Sequence, residues 1–333
     1  MAIDLDDTQT HDVLSVRRVH TRIPDRWNRQ FPLVDGAITQ LGRGDMVVDG
    51  QCVRAGPVVT GRLRLQPLAA GYAVPSRDYL AFMIPLKWQG DYLYNGRLAT
   101  RTSLFLSADG SGYFTRGEGR DTMAVGIRRD AFRRAFAAIL GPRAEEIPIE
   151  NLAIDLPASA SLALRRSILG YHQRVARFIE HLPSPDMLEQ VAEELVLALA
   201  ETVSQSRQIP PERTRNATAL QIVRKAENHW KSVGCKQVTL TDLCLAAGVG
   251  STALTAAFNE IYGEPPKKII RLRRLMNARS QLLLKPSERG SIKGVAITCG
   301  FEDAGRFAQI YDRLFGELPS TTLQKWEMME LTP

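Results

Sequence analysis

Leu243-Cys244-Leu245-Ala246-Ala247-Gly248-Val249, followed by Leu254, Phe258, Gly263 and Pro266, returns later in the chain in altered form. The second version is Val295-Ala296-Ile297-Thr298-Cys299-Gly300-Phe301, followed by Phe307, Tyr311, Gly316 and Pro319. A shift of 52 or 53 residues lays Gly248 on Gly300, Phe258 on Tyr311, Gly263 on Gly316 and Pro266 on Pro319. Two copies are too few for a solenoid, and each is long enough to build a small helical core. Leu240, Leu243 and Ala247 stand at helical spacing, and Gly248 ends the run because it tolerates positive φ. Leu254 and Phe258 give the next helix one buried face, which Gly263 stops. Each copy therefore reads as helix, glycine turn, helix, the form whose second helix can enter a DNA major groove. Asp303 is a good N-cap for the second such helix, which runs through Leu314.

Between the copies, Pro266 to Leu283 reads as one helix with an apolar stripe and a basic flank. Such a rod holds two reading heads at fixed spacing. Heads about 34 Å apart, one turn of B-DNA, face the same side of the duplex.

The Leu243-Cys244-Leu245-Ala246-Ala247-Gly248 turn, the connector Arg274-Leu275-x-x-Ala278-x-x-x-Leu282-Leu283 and the ending from Ala296-x-x-x-Gly300-Phe301 through Phe307 to Phe315-Gly316-x-x-Pro319 resemble the AraC/XylS family of bacterial transcription regulators. The resemblance spans roughly the last hundred residues and depends on many positions in register. It implies double-stranded DNA and RNA polymerase as partners, and activation as the sign of regulation. More loosely, Ser103 to Arg134 resembles the cupin-like sensor domain that often precedes this family's DNA-binding part. That implies a small-molecule effector or homodimerisation.

Composition agrees. At 333 residues, two domains are expected. Residues 210–333 carry 18 Lys+Arg against 12 Asp+Glu (+6), while residues 1–209 carry 25 against 24 (+1). A basic half joined to a neutral half suits a DNA-binding module attached to a different one. No apolar run approaches a membrane span and the N-terminus is acidic, unlike a signal peptide, so a cytoplasmic protein is expected. The four cysteines lack metal-ligand spacing; Cys244 and Cys299 read as small core residues.

Taken in order, residues 1 to about 45 are polar and aperiodic and read as loop-like. Cys52 to Arg128 has strand texture: Gly61–Leu68, Leu80–Trp88 with Pro85 hinting at an edge or bulge, Asp91–Tyr94 with an Asn95-Gly96 hairpin turn, Leu98–Leu106, Gly112–Thr115 and Thr122–Ile127. This density predicts a small barrel or sandwich, its interior either filled or a ligand cavity. Leu162–Ile179 and Met187–Val203 read as two amphipathic helices, packing on the barrel or forming a dimer interface. The expected organisation is α+β: a cupin-like sensor and dimerisation domain at 1–203, a polar linker at 204–215, and at 216–333 an all-α DNA-binding domain with two helix-turn-helix motifs joined by a long helix.

If Leu254 faces inward, helical geometry turns Thr252, Thr255, Ala256 and Asn259 outward; from Phe307 the same offsets give Gly305, Ala308, Gln309 and Asp312. Gln309 suits adenine and threonine methyls suit thymine. Arg306 and Arg313 flank that face and suit phosphates. The sequence departs from the family pattern at Gly250, where Ser or Thr usually caps, at Ala256, where a long polar residue is usual, and at Thr321-Thr322-Leu323. The first head is therefore expected to read shape and methyl groups more than a polar code.

The rival class is an enzyme. A metal-dependent cupin needs His and carboxylate ligands on its strands, yet none of the five histidines (His11, His20, His172, His181, His229) lies between residues 46 and 130. That leaves a metal-independent cupin-like enzyme with an accessory DNA-binding domain as the alternative. No cofactor or metal motif is present.

Overall fold

The computed structural model describes residues 5–11, 14–23, 34–145, 147–178, 180–206, 217–233, 238–284 and 292–330. Its N-terminal half is built on one antiparallel sheet: β1 (Leu5–His11), β2 (Leu14–Thr21), β3 (Val34–Gln40), β4 (Val47–Ala55), β5 (Val58–Gln66), β6 (Ala69–Pro75), β7 (Tyr79–Tyr94), β8 (Arg97–Leu98), β9 (Ser103–Ser107), β10 (Tyr113–Arg128) and β11 (Leu152–Asp155). The main path runs β1-β2-β4-β5-β10-β7-β9-β11, and β3 and β6 branch from β10.

The two sixteen-residue strands β7 and β10 explain that branching. β10 pairs with β7 along most of its length. On its other edge it changes partner, Tyr113–Gly117 pairing with β6 and Arg120–Ile127 with β5. The change falls at Gly117-Glu118-Gly119, where the register against β7 shifts and Gly119 takes φ +51°. A bulge of this kind bends a strand and re-aims the side chains beside it. Pro85 lies opposite Thr122 at the end of the irregular stretch, consistent with the bulge signal in the sequence. Asn95 and Gly96 both take positive φ, the requirement of the tight hairpin turn joining β7 to β8.

One face of the sheet is covered by α1 (Arg129–Leu140), α2 (Ala158–Phe178) and α3 (Pro185–Ser206). Phe82, Val125 and Leu104 of the sheet pack with Phe132 and Phe136 of α1, Ile168 of α2 and Leu195 and Leu199 of α3. Each such side chain contributes about 1.5–3 kcal/mol when taken from water. Buried His172 on α2 is tied to the sheet, Nδ1 lying 2.8 Å from Thr60 Oγ1 and Nε2 3.1 Å from Gln51 Oε1.

The C-terminal half is helical: α4 (Ala217–Val233), α5 (Leu240–Ala247), α6 (Ser251–Tyr262), α7 (Pro266–Leu284), α8 (Ile292–Thr298), α9 (Ala304–Phe315) and α10 (Pro319–Glu330). No single helix among the described residues is long and apolar enough to cross a membrane.

Several expectations are corrected. The stretch read as loop-like contains β1, β2 and β3, which are strands because β2 pairs with β4 and β3 with β6, partners remote in sequence. The pieces Leu80–Trp88 and Asp91–Tyr94 are one strand, as are Gly112–Thr115 and Thr122–Ile127 apart from Gly112. α3 runs through Ser206, three residues into the expected linker; of the remainder, 207–215 lies outside the described residues. Cys299 is buried, but Cys244 is only half-buried.

The halves share an apolar core. Leu41, Ala70, Tyr72 and Phe114 of the sheet pack with Trp230, Tyr262, Ile269 and Leu275 of the helices. Phe114 stacks on Tyr72 at 4.5 Å and meets Tyr262 edge-on at 5.6 Å. The Gln40 backbone N–H donates to Met276 Sδ, and the Gly44 N–H donates to the Leu314 carbonyl at 2.8 Å.

Candidate nucleic-acid interface

Local rules explain each helix–glycine–helix unit. Thr239 and Asp242 cap α5 reciprocally, the Thr239 hydroxyl accepting from the Asp242 N–H while the Asp242 carboxylate accepts from the Thr239 N–H at 2.8 Å. Those hydrogen bonds hold the Asp242 carboxyl below its ordinary pKa. Gly248 ends α5 in the left-handed conformation (φ +69°), and α6 leaves at 91° to α5. α6 buries Leu254, Ala257, Phe258, Ile261 and Tyr262. α8 is followed by Gly300 at φ +81°; a Cβ there would stand 3.2 Å from Arg274 Nη1, so both backbone and space favour glycine. The Asp303 carboxylate accepts from the Arg306 N–H at 2.9 Å and caps α9, which buries Phe307, Tyr311, Leu314 and Phe315.

The anticipated contact residues fall as follows. On α6, Thr252, Ala256 and Asn259 are exposed and Thr255 is half-buried; on α9, Gly305, Arg306, Gln309 and Arg313 are exposed while Ala308 and Asp312 are half-buried. As expected from its sequence, α6 begins at Gly250 without a side-chain cap.

Sequence reasoning assigned no role in the interface to the open groove between the two units. It encloses about 530 Å3 and is lined by Lys267, Arg271 and Arg274 of α7, by Arg306 and Phe307 of α9 and by Val238–Leu240. Lys267 and Arg271 are exposed and Arg274 half-buried. The signal was the basic flank of α7, which a sequence cannot divide into outward and inward members.

Two of its arginines turn inward. Arg273 is 7% exposed; it donates to both Glu227 carboxylate oxygens at 3.0 and 2.8 Å and its guanidinium lies 4.1 Å over the Trp230 ring. Tyr262 of α6 donates to Glu227 at 2.7 Å, so this cluster braces the first unit. Buried Arg279 pairs with Asp45 and, at 3.0 Å, with Glu317, and lies 4.6 Å over Phe315, bracing the second unit. α7 thus carries one buried cation for each head.

Residues 243–325 match the helix-turn-helix domain family. This stretch is an AraC/XylS-type helix-turn-helix domain. The chain is 35% identical over 98 residues to the XylDLEGF operon transcriptional activator 1 of Pseudomonas putida, covering 29% of this chain and 30% of that protein. It is 27% identical over 221 residues to the HTH-type transcriptional regulator ExsA of Pseudomonas aeruginosa, covering 64% and 74%. Among solved structures, the AraC-like transcriptional activator CuxR aligns over 83% of this chain and 94% of its own at 12% identity, with a TM-score of 0.39. The chain spans about a third of the length of XylDLEGF operon transcriptional activators 1 and 3. The matched stretch contains both glycine turns, Gly248 and Gly300.

Proposed function

We propose that this chain is a sequence-specific DNA-binding transcription regulator, acting as an activator like the operon activators it resembles. The observation carrying this reading is the arrangement of α5–α6 and α8–α9 around one connector, each unit presenting a solvent-facing second helix. In this reading both pairs are helix-turn-helix motifs. Thr252, Thr255, Ala256 and Asn259 of α6 and Gly305, Ala308 and Gln309 of α9 face base edges. Arg306 and Arg313, with Lys267, Arg271 and Arg274 of the groove, take phosphates. The N-terminal part, through the end of α3 at Ser206, serves as a cupin-like sensor joined to the DNA-binding domain at 216–333. Self-association through α2 and α3, and contact with RNA polymerase, belong to the same proposal.

The test is equilibrium binding of the full chain to duplexes recovered by genomic footprinting, across a range of salt. The logarithm of the affinity should fall steeply and linearly with log salt, by about one unit of slope per phosphate neutralised. A flat response, or equal affinity for scrambled duplexes, overturns the reading.

A further inference from the structure

Where β10 changes partners, the sheet opens into a cavity of about 70 Å3. Ile38, Leu63, Leu65, Met83 and the rings of Tyr72, Tyr92 and Tyr113 give it an apolar wall. Into this wall the bulge at Gly117-Glu118-Gly119 delivers Arg120, which is 4% exposed. Its Nη1 is buried with no hydrogen-bond partner. No carboxylate lines the cavity among the described residues: neighbouring Asp121 is engaged by Arg62 at 2.7 Å and by Arg64 at 3.4 Å. Burial holds the Tyr92 phenol up at about 12 and Tyr113 higher still, so both rings are neutral partners rather than counter-charges. A buried guanidinium without an acid is costly unless something anionic joins it.

We propose that this cavity binds a small organic carboxylate, its oxygens taken by the Arg120 guanidinium and its short apolar body lying against the tyrosines, Ile38 and Met83. Guanidinium and carboxylate match in fork geometry, and the apolar wall disfavours a fully hydrated inorganic anion. A cavity of about 150 Å3 accommodates benzene, so the space here suits an acid nearer acetate or propionate; an aromatic acid requires a lining side chain to swing aside.

The consequence for regulation rests on the function proposed above. Gly36, Ala37 and Ile38 of β3 line the cavity, and the next residue, Thr39, accepts a hydrogen bond from Arg273 Nε at 2.9 Å. Tyr72 lines the cavity on one side and leads through Phe114 to Tyr262 of α6 on the other. Occupancy therefore bears on the connector helix and the first head through two routes.

The test is thermal melting and calorimetric titration of the full chain with acetate, propionate and benzoate, against propionamide, benzamide and inorganic phosphate at matched ionic strength. At least one carboxylate should raise Tm saturably while its amide and phosphate do not. Arg120→Met should weaken that binding on the order of a hundredfold. Gly71→Ala is the second variant. Its Cβ would stand 3.2 Å from Thr115 Oγ1 and 3.5 Å from Arg120 Nη2, so it occupies the ligand's space without removing the charge and should also weaken binding. Amide or phosphate binding as well as the acid, full binding by either variant, or no binding of any acid overturns the proposal; if Arg120→Met does not fold, Gly71→Ala decides. Duplex binding without carboxylate is measured separately. Its failure strikes the regulator reading and leaves the cavity assignment standing, and the reverse holds equally.

Discussion

The units α5–α6 and α8–α9 share a backbone plan but differ in how their second helices start and what they show to solvent. α9 begins with Asp303 accepting from Arg306, whereas α6 begins at Gly250 with no side-chain cap. α9 exposes Arg306, Gln309 and Arg313; α6 exposes Thr252, Ala256 and Asn259, with no cation between Ser251 and Tyr262. The repetition therefore fixes the scaffold, while electrostatics and polarity are free to diverge. On the proposed function, the second unit would read DNA through charge and hydrogen bonds, the first through shape and methyl contact.

The largest expected effect concerns how the heads are anchored. Arg273→Met leaves Glu227, 1% exposed, without its cation, and should cost about 3–5 kcal/mol in urea unfolding. Arg279→Met should cost less, because its partner Asp45 is a third exposed and also pairs with Arg22 at 3.3 Å, while its other partner Glu317 keeps a hydrogen bond from the Thr322 hydroxyl at 2.7 Å. Equal losses would show the two anchors to be equivalent.

A pH series separates the heads from the sheet they ride on. Burial and the Arg62 charge hold His172 down at about 4, from an ordinary 6.5, so folding favours its neutral form. Its contribution is fully present above pH 6.5 and is lost as pH falls toward 4, on the order of 3 kcal/mol in all. His172→Gln should flatten that part of the stability profile; an unchanged profile would rule His172 out as its source.

Discrimination between duplexes comes next. Gln309→Ala should lose about 1–3 kcal/mol of preference for the cognate over a mismatched site, and Thr252→Ala clearly less. The reverse order would refute the asymmetry between heads. Arg306→Ala should instead weaken all duplexes alike and lower the salt slope by about one.

The smallest effects test the caps. Asp303→Ala should cost about 1 kcal/mol, while Gly250→Ser should add only a few tenths. A gain at Gly250 as large as the loss at Asp303 would mean that the bare start of α6 was under equal demand.

The sequence made the helical half legible because its signals are local. Gly248, Gly263, Asp303 and Gly316 each act within a turn of where they stand, and the spacing of Leu254 with Phe258 and of Phe307 with Tyr311 settled the buried faces. The sheet was less legible. β1, β2 and β3 owe their form to distant pairing, and β7 and β10 were broken into pieces because their irregular centre interrupts the alternation. Charge burial was the least readable property. Nothing in the run Arg271 to Arg279 tells that Arg271 faces solvent while Arg273 meets Glu227, and the Asp45 that pairs with Arg279 lies 234 residues away. Arg120 was missed for the same reason, although Gly117-Glu118-Gly119 beside it is the kind of glycine-flanked break that marks a bulge.

The guanidinium of Arg273 over the Trp230 ring gives the molecule a built-in optical gauge. Trp230 is 3% exposed and stands where the sheet, α4 and the connector meet, so its emission is sensitive to any loosening of that junction. The proposed duplex binding, the proposed carboxylate binding and partial unfolding can each be tested from this indole without a label, once the chain's other three tryptophans are replaced by phenylalanine.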